Sequence, residues 1–140
     1  MGSLSTQKRF PRDLAALDSL FGFIADFHAQ CHVDDREARE IELITEELFT
    51  NLVRHNEGTR DIEVGLEHIG DSMRIRVRDE DVDEFDLTRA PEPDPAMPLE
   101  KRRAGGMGIL LVRRLAENVS YDYRDRTSTI TVVKRLGKGN

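Results

Sequence analysis

A carboxylate and a carboxamide, Glu47 and Asn51, stand four residues apart in the segment Glu46-Glu47-Leu48-Phe49-Thr50-Asn51-Leu52-Val53-Arg54-His55-Asn56. On a helix, residues at i and i+4 share one face. The acid can accept a proton and the amide can offer an oxygen to a hard cation, so the pair suits one reaction centre. A second segment, Gly105-Gly106-Met107-Gly108-Ile109-Leu110-Leu111-Val112, clusters glycines where a helix opens. Glycines there let backbone N–H groups approach phosphate oxygens, and the helix dipole favours the negative charge. Between the two lies Val77-Arg78-Asp79-Glu80-Asp81, a strand ending in acids. Taken singly, each segment has a plainer reading. Glu47 and Asn51 could be a solvated helix edge, and the glycines a hinge. Their order and spacing together suggest a nucleotide site.

The elements that must position these residues follow from periodicity. Residues 4–10 read as a short edge strand, and Pro11 suits the first turn of a helix. Leu14, Leu17, Leu20, Phe21, Ile24 and Phe27 recur at helical steps up to Cys31-His32. Asp34 or Asp35 can cap the next helix. Its stripe is Ile41, Ile44, Leu48 and Leu52, with Glu47 and Asn51 on the shoulder, and it ends at Asn56-Glu57-Gly58. Ile62, Val64 and Leu66 alternate, as do Met73, Ile75 and Val77, with Gly70-Asp71 between them. This is a hairpin of half-buried strands. Residues 80–104 hold Pro91, Pro93, Pro95 and Pro98 and many charges, which suits a mobile lid better than an ordinary loop. A helix over Gly108–Glu117 follows. Val119, Tyr121 and Tyr123 then pair, across Arg126-Thr127, with Ile130, Val132 and Val133. Lys134–Asn140 reads as a frayed tail. The order β-α-α-β-β-lid-α-β-β predicts an α+β two-layer sandwich, a mainly antiparallel sheet with helices on one face, in a single domain spanning 1–140.

Composition narrows the function. The 140 residues are 38% hydrophobic and 34% charged, enough for a core of their own. A net charge of -6 argues against a broad nucleic-acid surface, and tryptophan is absent, so direct nucleic-acid binding is not expected. Cys31 is the only cysteine, which excludes an internal disulfide and fits a reducing, cytoplasmic setting. It reads as a small apolar residue near a helix end rather than a catalytic thiol. There is neither an apolar run of about 18 residues nor a secretory h-region, so no membrane association is expected. His28 and His32 are spaced i, i+4, but a third zinc ligand does not accompany them, and a helix end is the reading. The acidic run Asp79, Glu80, Asp81, Asp83, Glu84, Asp86 lacks the ligand spacing and central glycine of a calcium loop.

These motifs resemble the serine kinases that act as bacterial anti-sigma factors, members of the Bergerat-type, histidine-kinase-like ATPase fold. The helix Glu-x-x-x-Asn followed by His matches at Glu47, Asn51 and His55, and the second glycine box matches at Gly105-Gly106-Met107-Gly108. The ending Thr129-Ile130-Thr131-Val132-Val133-Lys134-Arg135-Leu136 resembles the family's last strand. With no phosphoacceptor histidine segment ahead of it, a complete histidine kinase is not expected. The resemblance implies ATP and Mg²⁺ as cofactors. It makes Glu47 the base toward a protein serine or threonine hydroxyl and Asn51 a Mg²⁺ ligand. Asp79 would be the acceptor for adenine's exocyclic amine. Gly105, Gly106 and Gly108 would serve as backbone around the phosphates, with Thr50 and Arg103 as further phosphate contacts. It implies two partners, an anti-sigma-factor antagonist to phosphorylate and a sigma factor to sequester, and the family often dimerises. One departure stands out. The first glycine box, Asp-x-Gly-x-Gly, is here Asp79-Glu80-Asp81-Val82-Asp83. Bulk and negative charge at those places oppose a negatively charged nucleotide. The alternative is therefore a non-catalytic, partner-binding switch module on the same fold, with weak or lost ATP binding.

Overall fold

The computed structural model describes residues 3–86 and 107–137. Alternation along the strands decides which side chains face inward. Ile62, Val64 and Leu66 of β2 (Ile62–Ile69) are buried, as are Met73, Ile75 and Val77 of β3 (Ser72–Glu80). They join β1 (Leu4–Phe10), β4 (Asn118–Arg124) and β5 (Thr127–Arg135) in a five-stranded sheet of order β1-β2-β3-β5-β4. Every neighbouring pair is antiparallel. The register lines Phe10, Ile62, Asp79, Ser128 and Tyr123 across one row of the inner face. Asp79 is thus a carboxylate placed on the apolar side of the sheet by strand parity alone.

Two long helices and a short one cover that face. Helix α1 (Leu17–Cys31) buries Leu20, Ile24 and Phe27. Helix α2 (Asp35–His55) buries Ile41, Ile44, Leu48 and Leu52 as its stripe, and packs against α1, β3 and α3 (Met107–Leu115). Phe10 closes the junction of β1 with the helices, edge-on to Phe23 at 5.5 Å and to Phe49 at 6.4 Å between ring centroids, a favoured aromatic geometry. The chain is therefore the α+β sandwich that the element order implied. Among the described residues, no helix is long and apolar enough to cross a membrane.

Several boundaries differ from the pattern-based expectation. Pro11 does not open a helix. It leads into a 3-10 turn at Leu14–Ala16 capped by the Asp13 side chain, and α1 begins only at Leu17. Asp34, rather than Asp35, caps α2 by accepting from the Arg36 N–H at 2.7 Å. The β4–β5 turn is Asp125-Arg126, both with positive φ (50° and 59°), one residue earlier than Arg126-Thr127. Lys134 and Arg135 are not frayed but continue β5. Beyond them the Leu136 N–H donates to Asp71 O at 2.6 Å and the Gly137 N–H to Glu37 at 2.7 Å. Lys134 also donates to the Leu115 carbonyl near the end of α3. Composition could not show that these polar residues complete an interior strand and cap a helix.

Candidate functional site

Helix α2 supplies the line on which the site is built. Glu47 is half-buried, Asn51 and Thr50 are buried, and the Thr50 hydroxyl donates to the Glu47 carbonyl at 3.3 Å. The expected shoulder position is realised for Glu47, which stays partly accessible while Leu48 and Leu52 go fully into the core, but Asn51 lies deeper and is buried. Burial pushes the Glu47 carboxyl above its ordinary value. The neighbouring Glu46 adds to the rise and Arg54 opposes it. A carboxyl shifted that way holds a proton more readily, as a general base toward a hydroxyl must.

Gly108, in the first turn of α3, lies directly against this carboxylate. A Cβ at Gly108 would run into Glu47 Oε2 and come within 3.1 Å of Cδ. A glycine here lets the helix approach the acid without displacing its side chain. Two motifs that are 61 positions apart in the chain, at Glu47 and Gly108, meet at one point. Arg103, Gly105 and Gly106 lie outside the described residues.

Asp79 is fully buried at the inner face of β3, with its carboxylate occupied by the chain itself. Arg12 engages both oxygens, Nη2 toward Oδ1 and Nη1 donating to Oδ2 at 3.2 Å. Asn56, the residue that ends α2, donates from Nδ2 to Oδ2 at 2.9 Å. Arg12 also reaches the Leu52 carbonyl at 3.4 Å. A buried carboxylate needs partners, and here three donors on two side chains serve it. Sequence reasoning missed Arg12 and Asn56. The missed signal was parity: Asp79 continues the phase of Met73, Ile75 and Val77, so its charge falls on the apolar face and demands a partner.

The altered first glycine box keeps a glycine-like backbone. Asp81 has φ +59°, in the left-handed region that favours glycine. Arg126 donates from Nε to Asp81 at 3.0 Å and from Nη1 to Asp83 at 3.1 Å. The Val82 N–H donates to Arg126 O at 3.0 Å, the Tyr123 hydroxyl to Val82 O at 2.8 Å, and the Phe85 N–H to the Tyr121 hydroxyl at 3.2 Å. Phe85 stacks on His55 at 5.7 Å. Residues 81–86, at the start of the segment read as a lid, are thus tied to the β4–β5 hairpin and to the end of α2. The rest of that segment, from 87 to 104, lies outside the described residues. The local acidic charge is partly offset by Arg126, a residue that sequence reading had treated only as part of a turn.

Among the described residues no group of three or more His, Cys, Asp or Glu side chains is placed to hold a metal ion with His28 and His32. His28 is buried, which lowers its pKa, and His32 ends α1 in a left-handed conformation. Cys31 is half-buried against the core, and burial raises its thiol pKa, which disfavours a reactive thiolate.

A five-stranded antiparallel sheet under two long helices, with an acid on α2 against a glycine in the first turn of α3 and an amide one turn further along α2, defines a class. The chain matches the histidine kinase-like ATPase domain over residues 10–134 and belongs to that family. No curated protein sequence matches it significantly. Among solved structures it is similar to the RsbU and RsbW domains of Rv1364c from Mycobacterium tuberculosis. The TM-score there is 0.70 at 15% identity, over 96% of this chain and 33% of that one. This chain thus spans about a third of the length of that protein chain. It is also similar to the SiaB-SiaC complex from Pseudomonas aeruginosa, with a TM-score of 0.65, 14% identity and 91% and 88% of the two chains covered. The histidine kinase AdeS of Acinetobacter baumannii follows at a TM-score of 0.51 and 15% identity, over 95% and 68%. At these identities the likeness is one of fold.

Proposed function

We propose that this chain is an ATP-dependent protein serine/threonine kinase that acts as an anti-sigma regulatory factor. It phosphorylates an anti-sigma-factor antagonist and binds a sigma factor. The observation that carries the reading is the contact of the Glu47 carboxylate with Gly108 at the start of α3, one helical turn from Asn51. In this reading Glu47 takes the proton from the acceptor hydroxyl, which it can do within hydrogen-bond reach. Asn51 would hold Mg²⁺ through its side-chain oxygen, a hard ligand that suits this ion. Bound Mg²⁺-ATP supplies the phosphoryl group and offsets charge on it. The N-terminus of α3 and the glycines 105, 106 and 108 face the phosphates, with Thr50 and Arg103 beside them. Asp79 receives the exocyclic amine of adenine, and the part of the lid segment beyond residue 86 is the part that would close over the nucleotide, since residues 80–86 are anchored. The whole chain works as one domain, in the cytoplasm, with homodimerisation as in much of the family. The relatives support the choice of partner class, since one solved neighbour joins RsbU and RsbW domains and another is a SiaB-SiaC complex.

A second reading is favoured by Asp81 and Asp83 in the first glycine box and by the Arg12 guanidinium on Asp79. It makes the chain a partner-binding switch module without phosphoryl transfer. Calorimetry with Mg²⁺-ATP, followed by transfer of labelled phosphate to an antagonist protein, separates the two. Binding with transfer supports the kinase. Stable partner binding with no nucleotide binding overturns it in favour of the switch module.

A further inference from the structure

The buried carboxylate that reads as the adenine acceptor already carries a ligand from its own chain. Arg12 follows Phe10 and Pro11 at the end of β1. The Asp13 N–H donates to Pro11 O at 2.8 Å, which closes a three-residue turn with Arg12 at its centre. That turn is held on one side by buried Phe10 in register with Ile62, and on the other by the Asp13 cap. The side chain therefore leaves the backbone at a fixed place and runs inward. Its side chain is 11% exposed and that of Asp79 is 0%.

The guanidinium lies close against Gly58. A Cβ there would stand 2.7 Å from Arg12 Cζ and 2.9 Å from Val82 Cγ1. Asp79 Oδ2 accepts from both Arg12 and Asn56, and Oδ1 accepts from Arg12. Three of about four acceptor positions are taken, and with its side chain 0% exposed the carboxylate is out of reach of an incoming amine while Arg12 covers it. Yet the seat is imperfect, because Arg12 Nε is buried without a hydrogen-bond partner among the described residues. A buried donor without an acceptor is a cost, and it lowers the barrier to exchanging this group for another flat donor.

We infer that Arg12 is a built-in competitor for the adenine subsite, so that a nucleotide binds only by displacing the guanidinium from Asp79. The inference rests on the nucleotide reading of Asp79 given above. Arg12 then sets both affinity and base choice. The 6-amino group of adenine donates and can replace a guanidinium N–H on Asp79. Guanine presents a carbonyl oxygen at the same place and cannot. The Arg12 stem is tied to β1, so any event that moves the end of β1 would alter nucleotide affinity without touching the phosphate end.

The test uses the full chain, the Arg12→Met variant and calorimetry with ADP and GDP in the absence of Mg²⁺, which isolates the base end from the metal. Arg12→Met keeps an apolar stem and removes the fork. It is expected to bind ADP about 10- to 100-fold more tightly than the parent, with GDP little changed. Such a gain confined to adenine is not what loss of a merely structural ion pair would do. If parent and folded variant bind ADP equally, the inference is overturned while the nucleotide reading stands. If neither binds ADP at millimolar concentration, the nucleotide reading itself falls. Should the variant fail to fold, the parent labelled with ¹⁵N-arginine decides. On saturation with ADP the Arg12 Nε–H resonance should shift and exchange faster with solvent, and a resonance unchanged at millimolar ADP overturns the inference.

Discussion

At one end of the site the half-buried Glu47 carboxylate lies against the first turn of α3. At the other the fully buried Asp79 carboxylate lies beneath the Arg12 guanidinium. Both acids belong to motifs of the same nucleotide-binding pattern, yet their surroundings differ in kind. Glu47 is half-buried and its carboxyl is raised by burial, a state suited to taking up a proton. Asp79 is satisfied by its own chain through three hydrogen-bond donors on two side chains. The difference teaches that matching residues do not make a matching site. The acid that is read as the base is free to react, whereas the acid that is read as the adenine acceptor must first release a partner.

The largest expected effect lies at the Glu47 end. Glu47→Gln keeps the shape and loses the proton acceptor, so transfer should drop roughly 10²–10⁴-fold with ADP binding little changed. Equal turnover by the variant would remove Glu47 from the chemistry. The pH profile sharpens the point. Transfer requires the ionised carboxylate, so the parent's rate should rise with pH through a midpoint above the ordinary glutamate value of 4.5. The same shift has a stability consequence with a definite sign. Between the ordinary and the raised value the folded chain binds more protons than the unfolded chain, so stability falls as pH rises through that window. Glu47→Gln escapes this loss. Its Tm should exceed the parent's at neutral pH, and the gap should close in acid below 4.5.

The Asp79 end should break differently, through stability. Asp79→Leu strands the Arg12 guanidinium in a buried seat, and removal of one partner from a buried ion pair costs about 3–5 kcal/mol. Urea unfolding measures it. A loss below about 1 kcal/mol would mean that Arg12 swings to water freely and that the pair is not a fixed feature.

Gly108→Ala tests the contact between the two motifs. The added methyl meets the flexible end of Glu47 rather than backbone, so the fold should persist while the carboxylate is pushed aside. A misplacement of that size is expected to slow transfer by about 10- to 100-fold with little change in Tm. Unchanged transfer would show that the Glu47–Gly108 contact does not set the base. Asn51→Ala should weaken Mg²⁺-dependent ATP binding by about tenfold, because a hard oxygen ligand is lost, with Mg²⁺-free ADP much less affected. The smallest effect is at the altered glycine box. Asp81→Gly relieves a left-handed φ of +59° and gives up an exposed pair with Arg126. The net gain in stability should stay below about 1 kcal/mol. Extending the change to Asp83 should raise ATP affinity a few-fold by removing two like charges.

Periodicity alone determined the architecture. Alternation at Ile62–Leu66 and Met73–Val77, the helical stripe Ile41, Ile44, Leu48, Leu52, and the capping acid before α2 gave the elements, because local backbone geometry repeats every two or 3.6 residues whatever the rest of the chain does. The same spacing placed Glu47 on the rim of the core, with Asn51 one turn on and buried. Tertiary structure alone decided three things. It brought Gly108 onto Glu47, turned Lys134–Gly137 from an expected tail into the end of β5 with its anchors, and set Arg12 on Asp79. Each depends on contacts between residues tens of positions apart, and no local repeat encodes those. Strand parity did put a charge on the apolar side of β3 at Asp79. Which cation would answer it depended on where the turn after β1 aims its central residue, and only the folded chain brings that turn, the end of α2 and the end of β3 to one place.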